Sequence, residues 1–256
     1  MSMHHVVPTR NGQLYQNYMR RKPTGRGAVS ITRLHKRLYE TLLRSRWSRP
    51  VSILEIGPGH SFFAEICVEA GHQYEFEDSS EAVTSDLLSR NFVGRLIDPQ
   101  RLPVDPKDFE VIWLSHVLEH CPTWHDARRM LGSLSQRLIE GGEIVVIGPD
   151  ALSWRNNFWN SDFSHGYPTT LRNVAQLLDD IGLEVVFAST HRGGFFRTSE
   201  KMIFAILTLI PHRVFDKLLR VKRFGVSDGL VMSWKTMFGW RQIAVIGRRQ
   251  GQARAV

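Results

Sequence analysis

Cysteine is nearly absent: Cys67 and Cys121 are the only two in 256 residues. Two cannot build the framework of a disulfide-stapled secreted domain, so a reducing compartment is expected. Long apolar runs are also missing. The longest, Met202 to Pro211, contains a threonine and falls far short of the ~20 residues that a membrane-spanning helix needs. Met1 to Arg21 has no apolar stretch of the signal-peptide kind. Neither internal repeats nor low-complexity tracts occur, which excludes solenoid, collagen-like and disordered architectures. Apolar residues make up 42% and charged residues 23% of the chain, close to the average for globular proteins. At roughly 150 residues per domain this is the length of one to two domains. A cytoplasmic location is expected, with peripheral contact at the inner membrane surface left open.

The net charge of +8 is unevenly spread. Residues 1–50 carry eleven Lys/Arg and one acid, and residues 191–256 carry thirteen and three, so each end is +10. The middle, 51–190, is −12, with nine Lys/Arg against twenty-one acids. Two basic flanks on an acidic core fit an anionic partner such as headgroups, a phosphorylated carrier or nucleic acid. They fit equally well with solubilising charge on exposed helices.

Strand and helix patterns alternate through the middle of the chain. Val51–Ile56 is an apolar, β-branched strand stopped by Gly57-Pro58-Gly59, and Ser61–Ala70 has helical spacing. A strand at Gln73–Glu77, a helix at Ser80–Arg90 with a serine N-cap, and strands at Phe92–Ile97 and Phe109–Leu114 follow. Trp124–Ile139 reads as an amphipathic helix, Glu143–Gly148 as a fifth strand, Leu171–Ile181 as a helix and Leu183–Ala188 as a strand. Arg241–Gly247 reads as the last strand. Such alternation with short connections predicts an α/β fold, a doubly wound and mostly parallel sheet of seven strands. The expected division is a helical leader or lid at 1–50, a core at 51–190 plus 241–250, and a helical cap insertion at 191–240, all in one domain.

In an open α/β sheet, ligands bind beyond the carboxyl ends of the strands. Three acids stand there: Glu55, ahead of the Gly57-Pro58-Gly59 turn; Glu77, with Asp78 beside it; and Asp98. Two glycines allow close approach of backbone to ligand, and a carboxylate about twenty residues further on suits the two hydroxyls of a ribose. The turn is neither a dinucleotide fingerprint, because Phe62 is too bulky, nor a P-loop, because Lys-Ser/Thr is missing.

Taken together, Glu55-Ile-Gly57-Pro-Gly59, Glu77, Ile97-Asp98-Pro99, Asp108–His120 and Leu138–Val146 resemble the class I S-adenosylmethionine-dependent methyltransferases. The likeness is to the broad subgroup of small-molecule, quinone and sugar methyltransferases. It covers roughly 51–190 and the last strand, and it implies a Rossmann-like methyltransferase fold and S-adenosyl-L-methionine as cofactor. It also implies that Glu55, Gly57, Pro58 and Gly59 hold the cofactor's amino-acid end, that Glu77 and Asp78 hold the ribose, and that Asp98, Pro99 and Ser115 lie at the adenine and strand edge. Two departures stand out. Ser61 replaces a frequent glycine, which is tolerable if the backbone there stays helical, and Pro99 offers no amide to adenine.

Methyl transfer to a hydroxyl needs positioning and a proton acceptor. His116, Glu119 and His120 after the fourth strand, and Asp162 and His165 further on, are the candidates, with His165 first. Some family members bind a divalent ion through Glu-x-x-Glu-His and a later His. The matching set here would be His116, Glu119, His120 and His165, but an imidazole in place of the first carboxylate disfavours magnesium, and no metal is expected. The other histidines, among them His60, His72, His125 and His191, read as surface or helix-end residues. Tyr15 and Tyr18 of the leader could pack or close over the cofactor.

The leading expectation is O-methylation of a glycan, lipid-linked or other small-molecule acceptor, with the 191–240 cap touching an anionic membrane or folding wholly on the sheet. An RNA methyltransferase is less expected, for want of any RNA-binding module. A non-catalytic S-adenosylmethionine-binding accessory subunit is the remaining alternative.

Overall fold

The computed structural model describes residues 23–98, 108–193 and 240–251. The chain enters through α1 (Gly25–Leu38), which runs on as a π-helical turn, Tyr39–Arg44. Then come β1 (Ser52–Ile56), α2 (Phe62–Glu69), β2 (Gln73–Asp78), α3 (Glu81–Ser89), β3 (Val93–Leu96) and β4 (Phe109–Ser115). A 3-10 turn, Leu118–His120, leads into α4 (Trp124–Ser135) and the long β5 (Leu138–Pro149). Two short helices, α5 (Ala151–Trp154) and α6 (Asn157–Ser161), precede α7 (Leu171–Asp180), β6 (Leu183–His191) and β7 (Gln242–Arg249).

The seven strands lie in the order β3-β2-β1-β4-β5-β7-β6. All neighbours are parallel except β7, which runs antiparallel to both β5 and β6. The expected doubly wound sheet is therefore borne out. Each face of the sheet has its own core. On one side Leu54, Ile112, Leu114, Ile144 and Val146 meet Leu131 and Leu134 of α4 and Val174 and Leu178 of α7. On the other, Ile53, Phe76, Val111, Trp113 and Val145 meet α1, α2 and α3, with the Phe63 ring stacked on Trp113 at 4.1 Å between centroids. Strands covered on both faces must be apolar nearly throughout, which is why β1 and β4 read as runs rather than alternations.

Several boundaries differ from the sequence reading. The helix expected to reach Ile139 ends at Ser135, and Leu138 and Ile139 already belong to β5, where Leu138 pairs with Phe109. An irregularity between Phe109 and Val111 absorbs the Gly141-Gly142 turn of β5, and this let the strand's start pass for the last turn of a helix. Asp78 ends β2, and Ser80 caps α3 as expected, its hydroxyl accepting from the Val83 amide at 3.4 Å. His60, His72 and His191 are buried, against the surface reading, whereas His125 is exposed. His72 ties the π-helical turn to the start of β1: the Tyr39 hydroxyl meets its Nε2 at 2.9 Å, and its Nδ1 accepts from the amide of Val51, just before β1, at 3.0 Å. Tyr15, Tyr18, Pro99 and the apolar and basic parts of the expected cap lie outside the described residues. Among the described residues, no helix is long and apolar enough to cross a membrane.

Candidate functional site

The strand order reverses between β1 and β4, since β2 and β3 lie to one side of β1 and β5 to the other side of β4. The crevice above that pair is where an open α/β sheet takes its ligand. The Gly57–Gly59 turn follows β1, and His116–His120 follow β4, so the topology brings the two sequence motifs to one edge.

The glycine turn has to be glycine. Gly57 has φ +69°, and a Cβ there would stand 2.8 Å from Cγ2 of Val117, so the β1 turn packs directly onto the histidine segment. The amide of Gly57 donates to the carbonyl of Glu77 at 2.9 Å, which closes the turn against β2. Gly59 is also left-handed, at φ +53°. Ser61 corrects an expectation: its φ is +69°, a left-handed rather than a right-handed helical conformation. This is strain that a non-glycine residue bears only with support. The support comes from Arg90, whose guanidinium donates to the Ser61 hydroxyl at 2.6 Å and to Glu65 at 2.5 Å.

Beneath the turn, Glu55 is 2% exposed and accepts from the Tyr74 hydroxyl at 2.5 Å. Burial, eased by the Tyr74 bond and reinforced by neighbouring Asp78, pushes its pKa up to about 8. Burial likewise raises Asp78 to about 6, opposed by the amides of Ser80 and Ser79. Glu77 points to the opposite face of the sheet. Arg95 donates to its Oε1 from Nε at 3.0 Å and Nη2 at 2.8 Å, and Arg137 reaches both oxygens at 2.9 and 3.0 Å. The expected ribose contact would need a guanidinium to leave Glu77, whereas Asp78 shares its face with Glu55. Asp98 is exposed at the end of the β3 segment, and Ser115 ends β4 partly buried.

The second half of the site forms where the residue 162–167 loop is stitched onto the turn after β4. The amides of Gly166 and Tyr167 donate to the carbonyl of Glu119 at 2.9 and 3.2 Å. A Cβ on Gly166 would sit 2.6 Å from the carbonyl of Cys121, so close contact here requires glycine. His165 thereby reaches His120, their ring centroids 5.0 Å apart. Glu119 is fully buried, and its Oε1 accepts from His116 Nδ1 at 3.0 Å. Burial of Glu119 works against ionisation, but the bond and charge of His116 outweigh it and lower the pKa.

His116 itself, at φ +58°, contacts Gln242 Oε1 through Nε2 at 2.7 Å. Burial opposes its charge, yet the Glu119 and Gln242 contacts raise its pKa above the ordinary histidine range. Both its ring nitrogens are engaged. The Asp162 Oδ1 accepts from the Ser164 amide at 2.8 Å and hydroxyl at 2.6 Å. His165 has its pKa lowered, chiefly by burial. Two further histidines border this region, His35, partly buried, and His191, buried. Burial and then the charge of His116 take His35 to about 4 and His191 to about 3. Gln242 and Arg90 were not foreseen either, since 126 residues separate Gln242 from His116 and no local pattern announces the contact.

A family model described as a methyltransferase domain matches residues 18–187, about two thirds of the chain. Comparison with curated proteins finds no match. Among solved structures, a SAM-dependent methyltransferase from Archaeoglobus fulgidus is 19% identical with a TM-score of 0.58, covering 84% of this chain and 93% of its own. Magnesium protoporphyrin IX methyltransferase from Synechocystis PCC 6803, with bound SAH, is 11% identical with a TM-score of 0.60, covering 93% and 95%. The cyclase SpnF, 15% identical with a TM-score of 0.59 over 90% and 85%, shares the fold as well. With the family model spanning the glycine turn, the histidine segment and the sheet edge that joins them, this chain belongs to the S-adenosylmethionine-dependent methyltransferases.

Proposed function

We propose that the chain methylates a hydroxyl oxygen on a small-molecule, glycan or lipid-linked acceptor. The observation that carries this reading is the pair of imidazoles, His120 and His165, converging beside the switch-point crevice on the face reached from the glycine turn through Val117. A hydroxyl has a proton to lose, and a neutral histidine within reach is the usual acceptor.

S-adenosylmethionine supplies an electrophilic methyl group when bound. The chain's own residues do the rest. The cradle fits: Gly57 and Gly59 present backbone with no side chain in the way, and Glu55 and Asp78 set two buried carboxyl groups under the turn for a cationic amine and for hydroxyls. His165 holds its Nδ1–H on the Phe158 carbonyl at 2.6 Å and so keeps Nε2 open to take the acceptor's proton. Leu152, Trp159 and Phe163, on the segment leading to His165, stay exposed, which favours an acceptor with an apolar part.

Replacing His165 with alanine is expected to lower turnover by roughly 10²–10⁴ while leaving cofactor affinity nearly unchanged. Calorimetric titration of S-adenosylmethionine and radiolabelled methyl transfer into fractionated lipid, glycan and RNA extracts measure the two quantities. Label entering only RNA, or turnover untouched in the variant, overturns the reading.

A further inference from the structure

Three positions of the turn after β1 share one unusual feature. Gly57, Gly59 and Ser61 have φ values of +69°, +53° and +69°, while Pro58 and His60 between them keep ordinary negative values. Alternation of this kind swings successive peptide groups into a concave backbone surface suited to an anionic group, such as the carboxylate of an amino acid. Glycine enters the left-handed region freely, so the first two positions need no help. Ser61 carries a Cβ and is disfavoured there unless its surroundings hold it. Its conformation is the part of the turn that the local sequence does not secure.

The contacts that secure it come from α2 and α3. Ser61 is fully buried, and although it stands at the start of α2 its side chain does not cap that helix. The hydroxyl turns instead to the His60 carbonyl and to Glu65 Oε1, 3.2 Å away. A carbonyl and a carboxylate both accept, so the single hydroxyl proton is committed and the oxygen's own lone pairs face outward. Arg90 fills that side, its Nη1 donating to Ser61 Oγ at 2.6 Å while its Nη2 donates to Glu65 at 2.5 Å. The guanidinium is itself fixed: Asp86 accepts from Nη1 at 3.3 Å, and the Phe92 ring lies 5.2 Å away. Arg90 closes the end of α3, so its hold on the turn runs through Ser61 and Glu65.

We propose that Arg90 is a positioning residue for S-adenosylmethionine: by holding Ser61 left-handed, it keeps the glycine turn in the shape that receives the cofactor. Serine and arginine together do what a third glycine would do alone. A turn held in its binding shape ahead of the ligand loses no affinity to reshaping. Without Arg90, Ser61 relaxes toward the right-handed region, and binding has to drive it back. With glycine at position 61 that penalty disappears, and Arg90 has nothing left to hold. The inference concerns cofactor binding alone and stands whichever acceptor is methylated.

Calorimetric titration of S-adenosylmethionine and of S-adenosylhomocysteine into wild type, Arg90→Met, Ser61→Gly and the double variant is the test. Methionine keeps an aliphatic stem against Phe92 and removes the donors. Arg90→Met is expected to weaken both ligands about tenfold, which corresponds to about 1.4 kcal/mol. In the Ser61→Gly background the same change is expected to lower affinity less than twofold, the non-additivity of residues acting through one contact. Ser61→Ala keeps the Cβ without the acceptor and is expected to bind about tenfold more weakly than Ser61→Gly. Circular dichroism and urea unfolding establish that each variant is folded. Should Arg90→Met not fold, the gap between Ser61→Ala and Ser61→Gly carries the test, and equal affinities there overturn the proposal. Unchanged affinity in Arg90→Met would show that Ser61 needs no clamp. An equal loss with serine and with glycine at position 61 would show that Arg90 acts on the ligand or on α3 instead. Either result overturns the positioning role.

Discussion

Glu55 is a carboxyl group sealed under a glycine turn, and such a group keeps its proton well into the range where an exposed acid has lost it. In the folded chain its pKa is about 8, against an ordinary value of 4.5. Between those values the folded state holds a proton that the unfolded chain has released. Stability attributable to this residue therefore falls as pH rises through that window and levels off above it, by up to about 1.4 kcal/mol per pH unit. Asp78, at about 6, acts in the same direction over a narrower range. His35 and His191, whose pKa values are lowered chiefly by desolvation, act the opposite way below about 6.5. The difference between wild type and Glu55→Gln in urea unfolding isolates Glu55: the variant is expected to gain on the wild type steadily from pH ~5 to ~8. A constant difference would show that Glu55 is ionised throughout.

The loop and turn that carry the histidines are held together by their backbones, and a single methyl group tests how closely. Gly166→Ala puts a Cβ 2.6 Å from the Cys121 carbonyl, so the loop must lift from the turn. Overpacking of this kind costs about 1–3 kcal/mol. Turnover is expected to fall far more than S-adenosylmethionine affinity, because the glycine turn after β1 is untouched; equal losses in both would mean that the two halves of the site are coupled. The strands and helices were legible because each is stamped by local pattern: the β-branched run of β1, the serine cap of α3, the apolar stripe of α4. What was not legible is what distant residues do to one another. Glu77 reads in sequence as the expected ribose ligand, yet nothing near it in sequence reveals Arg137, sixty residues on, closing over it. Ser61 likewise reads as an ordinary helix start, and only Arg90 explains how it tolerates a left-handed backbone.

Across the whole molecule, one carboxylate binds the entering helix to the far side of the sheet. Glu143 of β5 is 1% exposed and receives two bonds of 2.7 Å from Arg46, after the π-helical turn, and two more from Arg248 of β7, at 2.8 and 3.1 Å. Glu143→Gln leaves two guanidiniums sharing a neutral amide, and a loss of about 1–3 kcal/mol in thermal or urea unfolding is expected. A change within error would show that both arginines are satisfied by water. The strong positive charge at each end thus has a partly structural use, since a basic residue from either flank neutralises the acidic middle at this point.

The antiparallel strand β7 sits between β5 and β6, although it follows both in the chain. Its place sets the order in which the sheet can be completed during synthesis. When β6 has left the ribosome, β5 still has an open edge facing β6 across a missing strand, and the two are separated by the width of a strand not yet made. Parallel pairs from β3 to β5 are able to assemble early, while the last pairings wait for Gln242–Arg249 and bridge about fifty intervening residues. Until then the apolar edge of Ile144–Ile147 is a template for any neighbouring nascent chain. A protein translated in clusters on one message is exposed to that hazard at each round, and slowing of synthesis within the 194–239 stretch would lengthen it.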